Sequence, residues 1–302
     1  MKYIVFICDG ENVAVRKPLI DSFASKGICG RCEPKYGNKT QMLLSSFGFD
    51  VNECENNAAP FVAVSSGISI MPSDEVMSVE FLSNDTISPG EAEMLADGLN
   101  SRFGFGPNEF YAGDGENAFL VIRRGADVPD ESECAESVKN NSVNGRREKK
   151  GLDTVNGCRL FGKSTGTYLP DYFSLLHKRC ALTAKNSVAR GIARLAKIEL
   201  YDFDEPDEAF LAKAQAALNA FDDGFDATFV HFNSSKDMLQ NADTALTFTV
   251  NGLRARGEDY GVLVLFNSSY IMYLPQGENK SEDILRADAV KILLCKGEKY
   301  GK

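Results

Sequence analysis

The residues that could do chemistry begin at the ninth position. An apolar run, Ile4-Val5-Phe6-Ile7, stops at Cys8-Asp9-Gly10-Glu11-Asn12. A carboxylate just past the end of a buried strand is well placed to hold a hard cation, which takes oxygen ligands. On the residues alone Asp9 reads equally well as a turn or a helix cap. The tetrapeptide returns at Asp114-Gly115-Glu116-Asn117, between Tyr111 and a strand starting at Ala118. There it reads as a hairpin-type turn, because Asp-Gly tolerates positive φ. Cys29-Gly30-Arg31-Cys32 has the spacing of a redox or zinc motif. Zinc would want a second pair or nearby imidazoles, and the chain has only His177 and His231. A thioredoxin-like dithiol would open a helix after a strand. This one follows Lys26-Gly27 and precedes Glu33-Pro34, so neither role is expected.

The elements that must position these groups follow from periodicity and punctuation. Tyr3 to Ile7 is a short, unbroken, β-rich apolar run, the pattern of a strand buried on both faces. Helices are expected at Pro18 to Ser25, Thr40 to Phe47 and Ser88 to Arg102. The last opens on a capping box of Ser88, Pro89 and Glu91. Phe61 to Val64, Val76 to Phe81 and Ala118 to Ile122 read as strands. Residues 126 to 157 read as loops with a short helix. Later come helices at Ala181 to Leu195, Asp207 to Phe221 and Asp243 to Arg256. Strands are expected at Ala227 to Phe232, Tyr260 to Phe266 and Tyr270 to Leu274. Alternating strands and helices imply an α/β domain with a mostly parallel sheet. The middle lacks regular helical crossovers. The division is therefore a core of 1–52 plus 163–302 and an inserted α+β domain of 53–162. Ligands of open α/β sheets gather at the carboxyl ends of the strands, where Asp9 lies.

Composition bounds the function. A chain of 302 residues, 43% hydrophobic and 25% charged, is that of a globular protein. It has no run of 18 apolar residues, and its first apolar stretch is too short for a signal peptide, so a cytoplasmic protein without membrane contact is expected. A net charge of −10 argues against nucleic acid. Eight cysteines in a chain this long do not make a disulfide scaffold, and free thiols are expected.

Several blocks in fixed order resemble the archaeal-type, cofactor-independent phosphoglycerate mutases of the alkaline phosphatase superfamily. They are the Ile4 to Gly10 strand and corner, Tyr36-Gly37-Asn38-Lys39-Thr40 leading to Gly48-Phe49-Asp50, and the helix from Ser88 to Arg102. Val143-Asn144-Gly145-Arg146-Arg147 and Leu160-Phe161-Gly162-Lys163 follow. The most specific likeness runs from Cys180 to His231, through Gly191-Ile192-Ala193-Arg194-Leu195 and Gly224-Phe225-Asp226-Ala227-Thr228-Phe229-Val230-His231. The chain is shorter than is usual for that family. The resemblance implies an alkaline-phosphatase-like α/β fold, a mostly parallel sheet sandwiched by helices with a smaller α+β insertion. It implies phosphoryl transfer through a phosphorylated side chain held by two manganese or zinc ions, whose charge activates the nucleophile and neutralises the phosphoryl oxygens.

Carried over residue by residue, that machinery is thinned. Asp9 matches the first aspartate ligand. The nucleophilic serine is replaced by Lys39 or Thr40, and Thr40 could serve. The Asp-x-x-x-His motif becomes Lys236 and Gln240 in one register, or Asp237 and Asn241 in the other. Asn267 and Ser268 stand where the last Asp and His should be. His231 matches a position that is not a ligand in the family. Amide and hydroxyl oxygens are weak ligands beside carboxylate and imidazole. A full two-metal site is therefore not expected, and either no ion or one magnesium or manganese ion at Asp9, helped by Glu11 or Asp237, is. Arg146, Arg147 and Lys163 match a substrate-facing part of the family and could hold an anion. The expected function is a divergent, non-catalytic protein that binds a phosphorylated ligand or a protein partner. The alternative is an active mutase or a related metal-dependent phosphotransferase or phosphatase using Thr40.

Overall fold

The computed structural model describes residues 1–31, 38–50, 57–104, 106–113, 118–166, 168–204, 206, 209–274 and 286–296. The second Asp-Gly-Glu-Asn copy, Cys32, Cys54, Tyr36 and Gly37 lie outside them. In chain order the strands are β1 (Lys2–Cys8), β2 (Ile28–Arg31), β3 (Glu75–Leu82), β4 (Asn108–Ala112), β5 (Ala118–Ile122) and β6 (Gly157–Thr165). Then come β7 (Cys180–Thr183), β8 (Glu199–Leu200), β9 (Ala227–Phe232), β10 (Tyr260–Leu265) and β11 (Ser269–Tyr273). The chain divides into two compact units, 1–54 with 169–302, and 55–168.

The first unit is built on a seven-stranded sheet among the described residues, in the order β2-β11-β10-β1-β9-β7-β8. Strand β1 lies in its middle, parallel to β10 on one side and β9 on the other. That is why its apolar run is unbroken: neither face meets water. Ile4, Phe6 and Cys8 share one core with Ala214, Ala217 and Leu246 from helices Phe210–Asp222 and Met238–Ala255. On Phe229 of β9 pack Phe47 and Tyr172, with ring centroids 5.0 and 5.8 Å away. The Tyr172 hydroxyl donates to the Phe47 carbonyl at 2.9 Å. Burial pushes that phenol well above its ordinary value.

The second unit is an antiparallel sheet in the order β4-β5-β3-β6. Its core joins Val79, Leu120 and Ile122 to Leu95 and Leu99 of helix Pro89–Phe103. The capping box is present: Ser88 donates its backbone N–H to the Glu91 carboxylate at 2.9 Å.

Five expectations are corrected. Phe61 to Val64 is not a strand but part of helix Ala59–Ser65. Its Ala59 and Ala63, one helical turn apart, pack on Val76, Phe119 and Val121, and Pro60 sits in its first turn. A short apolar run cannot by itself distinguish the two. Residues 180 to 183 form β7, and the helix there is only Ser187–Leu195. Asn186 starts it, accepting the Ala189 N–H at 3.0 Å. The helix expected from Asp243 begins five residues earlier, at Met238. The polar stretch after 126 holds two helices, Glu131–Lys139 and Ser142–Lys149. The boundary drawn after 162 falls inside β6, whose pairing with β3 continues to Thr165, and the division lies at Leu169.

Among the described residues no helix is long and apolar enough to cross a membrane.

Candidate functional site

The ends of β10, β1 and β9 lie side by side, and three turns leave them together. Register fixes this. Ile7 pairs with Leu265 on one side and with His231 on the other. Beyond the strands, Asp9 donates its N–H to the Phe232 carbonyl at 3.0 Å, and Asn267 donates its N–H to the Gly10 carbonyl at 2.9 Å. The Ser268 hydroxyl donates to the Glu11 carboxylate. So the structure brings together Asp9, Glu11, Asn267 and Ser268.

It also brings in a residue to which the sequence assigned no role. His231 is wholly buried, and its Nε2 lies 3.2 Å from the Asp9 Oδ1, the Asp9 side chain being 10% exposed. The contact is within ion-pair distance, yet neither ring nitrogen makes a hydrogen bond among the described residues, because the alignment is wrong for one. The Asn267 Oδ1 is likewise buried without a hydrogen-bond partner there. The signal for His231 was its place on a strand adjoining β1, but that needs the strand order and the register.

The segment after β9 walls two openings beside this corner. One, of about 180 Å³, is lined by Gly10, Glu11, Ser234, Ser235, Lys236 and Gln240. The other, of about 130 Å³, is lined by Lys213, Phe232, Asn233, Ser235, Met238 and Asn241. Asp237 is exposed and precedes helix Met238–Ala255. Thr40 is buried at the second position of helix Lys39–Ser46, whose start Asn38 caps by accepting the Gln41 N–H at 2.9 Å. Lys39, beside it, is exposed.

The three basic candidates lie in the second unit, and each is engaged within it. Arg147 is fully buried, and all its donor groups are spent. Its Nε donates to the Asp153 carbonyl at 2.6 Å and its Nη1 to the Thr86 carbonyl and the Glu91 carboxylate. Its Nη2 donates to the Ser83 hydroxyl and the Asp85 carbonyl. That geometry ties the helices and strands of the unit together and leaves no N–H for an anion. Lys163 pairs with Glu75 at 2.7 Å, and Arg146 reaches the Met94 sulfur at 3.1 Å.

Cys29 is half-buried in the short strand β2, paired with Ile271, with its thiol facing the Ala24 carbonyl at 3.3 Å. Burial pushes that thiol up, the opposite of what a reactive cysteine needs.

Solved structures share this architecture. The chain has the fold of a cofactor-independent phosphoglycerate mutase. The mutase of that name from Thermoplasma acidophilum DSM 1728 superposes with a TM-score of 0.66 at 16% identity, over 97% of this chain and 99% of that one. The PH0037 protein from Pyrococcus horikoshii superposes with a TM-score of 0.80, also at 16% identity, over 97% of this chain and 96% of that one. No protein-family model and no curated protein matches the chain.

Among the described residues no group of three or more His, Cys, Asp or Glu side chains is placed to hold a metal ion.

Proposed function

We propose that this protein is a divergent relative of the phosphoglycerate mutases that no longer runs two-metal phosphoryl transfer, and that it binds a small phosphorylated ligand at the carboxyl edge of the sheet. One observation carries the reading. The turn after β10 is docked on the turn after β1 by the Asn267 to Gly10 hydrogen bond, and it presents an amide and a hydroxyl beside Asp9. A carboxylate and an imidazole would be needed there to share two ions. The neighbouring openings offer Ser234, Ser235 and Lys236 to an anion, as hydroxyl donors and a point charge.

The test uses protein purified without chelator and supplied with manganese. Conversion of 3-phosphoglycerate to 2-phosphoglycerate is expected to be absent, while calorimetry detects binding of 3-phosphoglycerate that Lys236→Ala weakens. Turnover that disappears in Thr40→Val would overturn the proposal and establish Thr40 as the nucleophile of an active transferase.

A further inference from the structure

We propose that the phosphorylated ligand of this edge is a short aminoalkyl phosphate, with Lys236 pairing its phosphate and Glu11 its ammonium. The inference rests on the phosphate-binding reading above, and it goes further by naming the chemistry of the ligand's other end.

Two opposite charges share one opening and do not neutralise each other. The space of about 180 Å³ is lined by Glu11 and by Lys236, both exposed. Among the described residues no ion pair joins them, and Lys236 makes none elsewhere. Glu11 is held in place, because the Ser268 hydroxyl donates to its Oε2. A carboxylate accepts several hydrogen bonds, so that contact leaves acceptor capacity for a ligand. Ser234 and Ser235 line the same space and add hydroxyl donors for phosphate oxygens. Much of the remaining wall is apolar: Val13, Val15, Met238 and Leu239, the last two each 5% exposed. A short carbon chain can lie against them.

Charge selects the other end. A phosphate dianion drawn to Lys236 shares the space with the Glu11 carboxylate, and like charges repel in a partly dehydrated place. A second anionic group on the ligand, such as the carboxylate of a phosphoglycerate, adds to that repulsion. An ammonium turns the same carboxylate into a partner, through a charge-assisted hydrogen bond. An unpaired charge set against the wrong ligand contributes to specificity as contacts to the right one do. Size agrees: pockets for drug-sized ligands run to roughly 300–1,000 Å³, and this one, of about 180 Å³, has room for a short chain only.

The experiment is calorimetric titration of the full chain with 2-aminoethyl phosphate and with ethyl phosphate, which differ only in the amine. The amine-bearing ester is expected to bind about tenfold more tightly, a comparison that needs no variant to fold. Glu11→Gln, on an exposed turn, should bring the two affinities together, with circular dichroism confirming the fold. Ser268→Ala removes the hydroxyl that positions Glu11 and should shrink the preference severalfold, a selectivity readout that a merely structural role would not move. Lys236→Ala should weaken both esters alike. Equal affinities in the wild type, or a preference that survives Glu11→Gln, would overturn the inference and leave the phosphate-binding reading standing. No binding of either ester would overturn both, and turnover of 3-phosphoglycerate would overturn that reading by itself, so the failures are distinguishable.

Discussion

Lys213 and His231 are joined by a single buried hydrogen bond, from the lysine Nζ to the histidine carbonyl at 2.9 Å, and neither residue has any exposed surface. The reason lies in the sheet. Strand β7 ends at Thr183, paired with Val230, so the carbonyl of the next residue on β9 has no strand donor on that side. The ammonium reaches in from helix Phe210–Asp222 and also lies over the Phe232 ring, 5.0 Å from its centroid. Lys213→Met keeps the apolar stem and removes the donor. It should lower stability by about 1–3 kcal/mol, the cost of a stranded buried carbonyl, read from urea unfolding.

Arg147 tests how the second unit is held. Lysine at that position keeps a charge but cannot direct five N–H groups along a planar fork. Arg147→Lys strands the Asp153, Thr86 and Asp85 carbonyls or the Glu91 carboxylate in a buried place. A loss of about 3 kcal/mol or more is expected, seen as a lowered melting temperature.

Asp74 gives that unit an acid-sensitive lock. Burial pushes its carboxyl up, but the Met71 N–H, the Arg123 guanidinium and the Arg124 N–H outweigh this and hold it below its usual value. A group whose pKa is depressed on folding contributes stability above its unfolded pKa and loses it as pH falls through the folded one. The loss should therefore appear below about pH 4. Asp74→Asn should cost about 2 kcal/mol at pH 7 and flatten the acid limb of a stability-against-pH curve.

Two glycines of the first unit should respond very differently to alanine. A Cβ on Gly27 would meet the Met272 carbonyl oxygen at 2.1 Å, which is backbone of the adjoining strand and cannot swing away. A Cβ on Gly10 would meet the Met238 Cε at 2.7 Å, the far end of a flexible chain. Gly27→Ala should cost about 3 kcal/mol and Gly10→Ala under about 1 kcal/mol, compared by denaturant midpoints.

Much of the frame was legible in the chain. The unbroken run before Asp9 announces a central strand, since only a strand covered on both faces can be apolar throughout. The Ser88 and Glu91 box marks its helix because the cap is made by residues three apart. The strand at Phe61 and the long helix from Ala181 failed for one reason. Four apolar residues suit either period, and neighbours in space choose between them. The candidate site divides the same way. Asp9, Asn267 and Ser268 can be named from order and resemblance, because each follows a recognisable strand. Arg147 reads as an anion ligand in sequence, and only packing shows its donors already spent. His231 carries no local signal. That it faces Asp9 depends on β9 lying next to β1 with Ile7 opposite His231. Sequence by itself bounded the supply of imidazoles at two, because composition counts histidines wherever they fold. That one of them, His231, lies against Asp9 was decided by strand order and register, which bring residues more than two hundred positions apart within 3.2 Å.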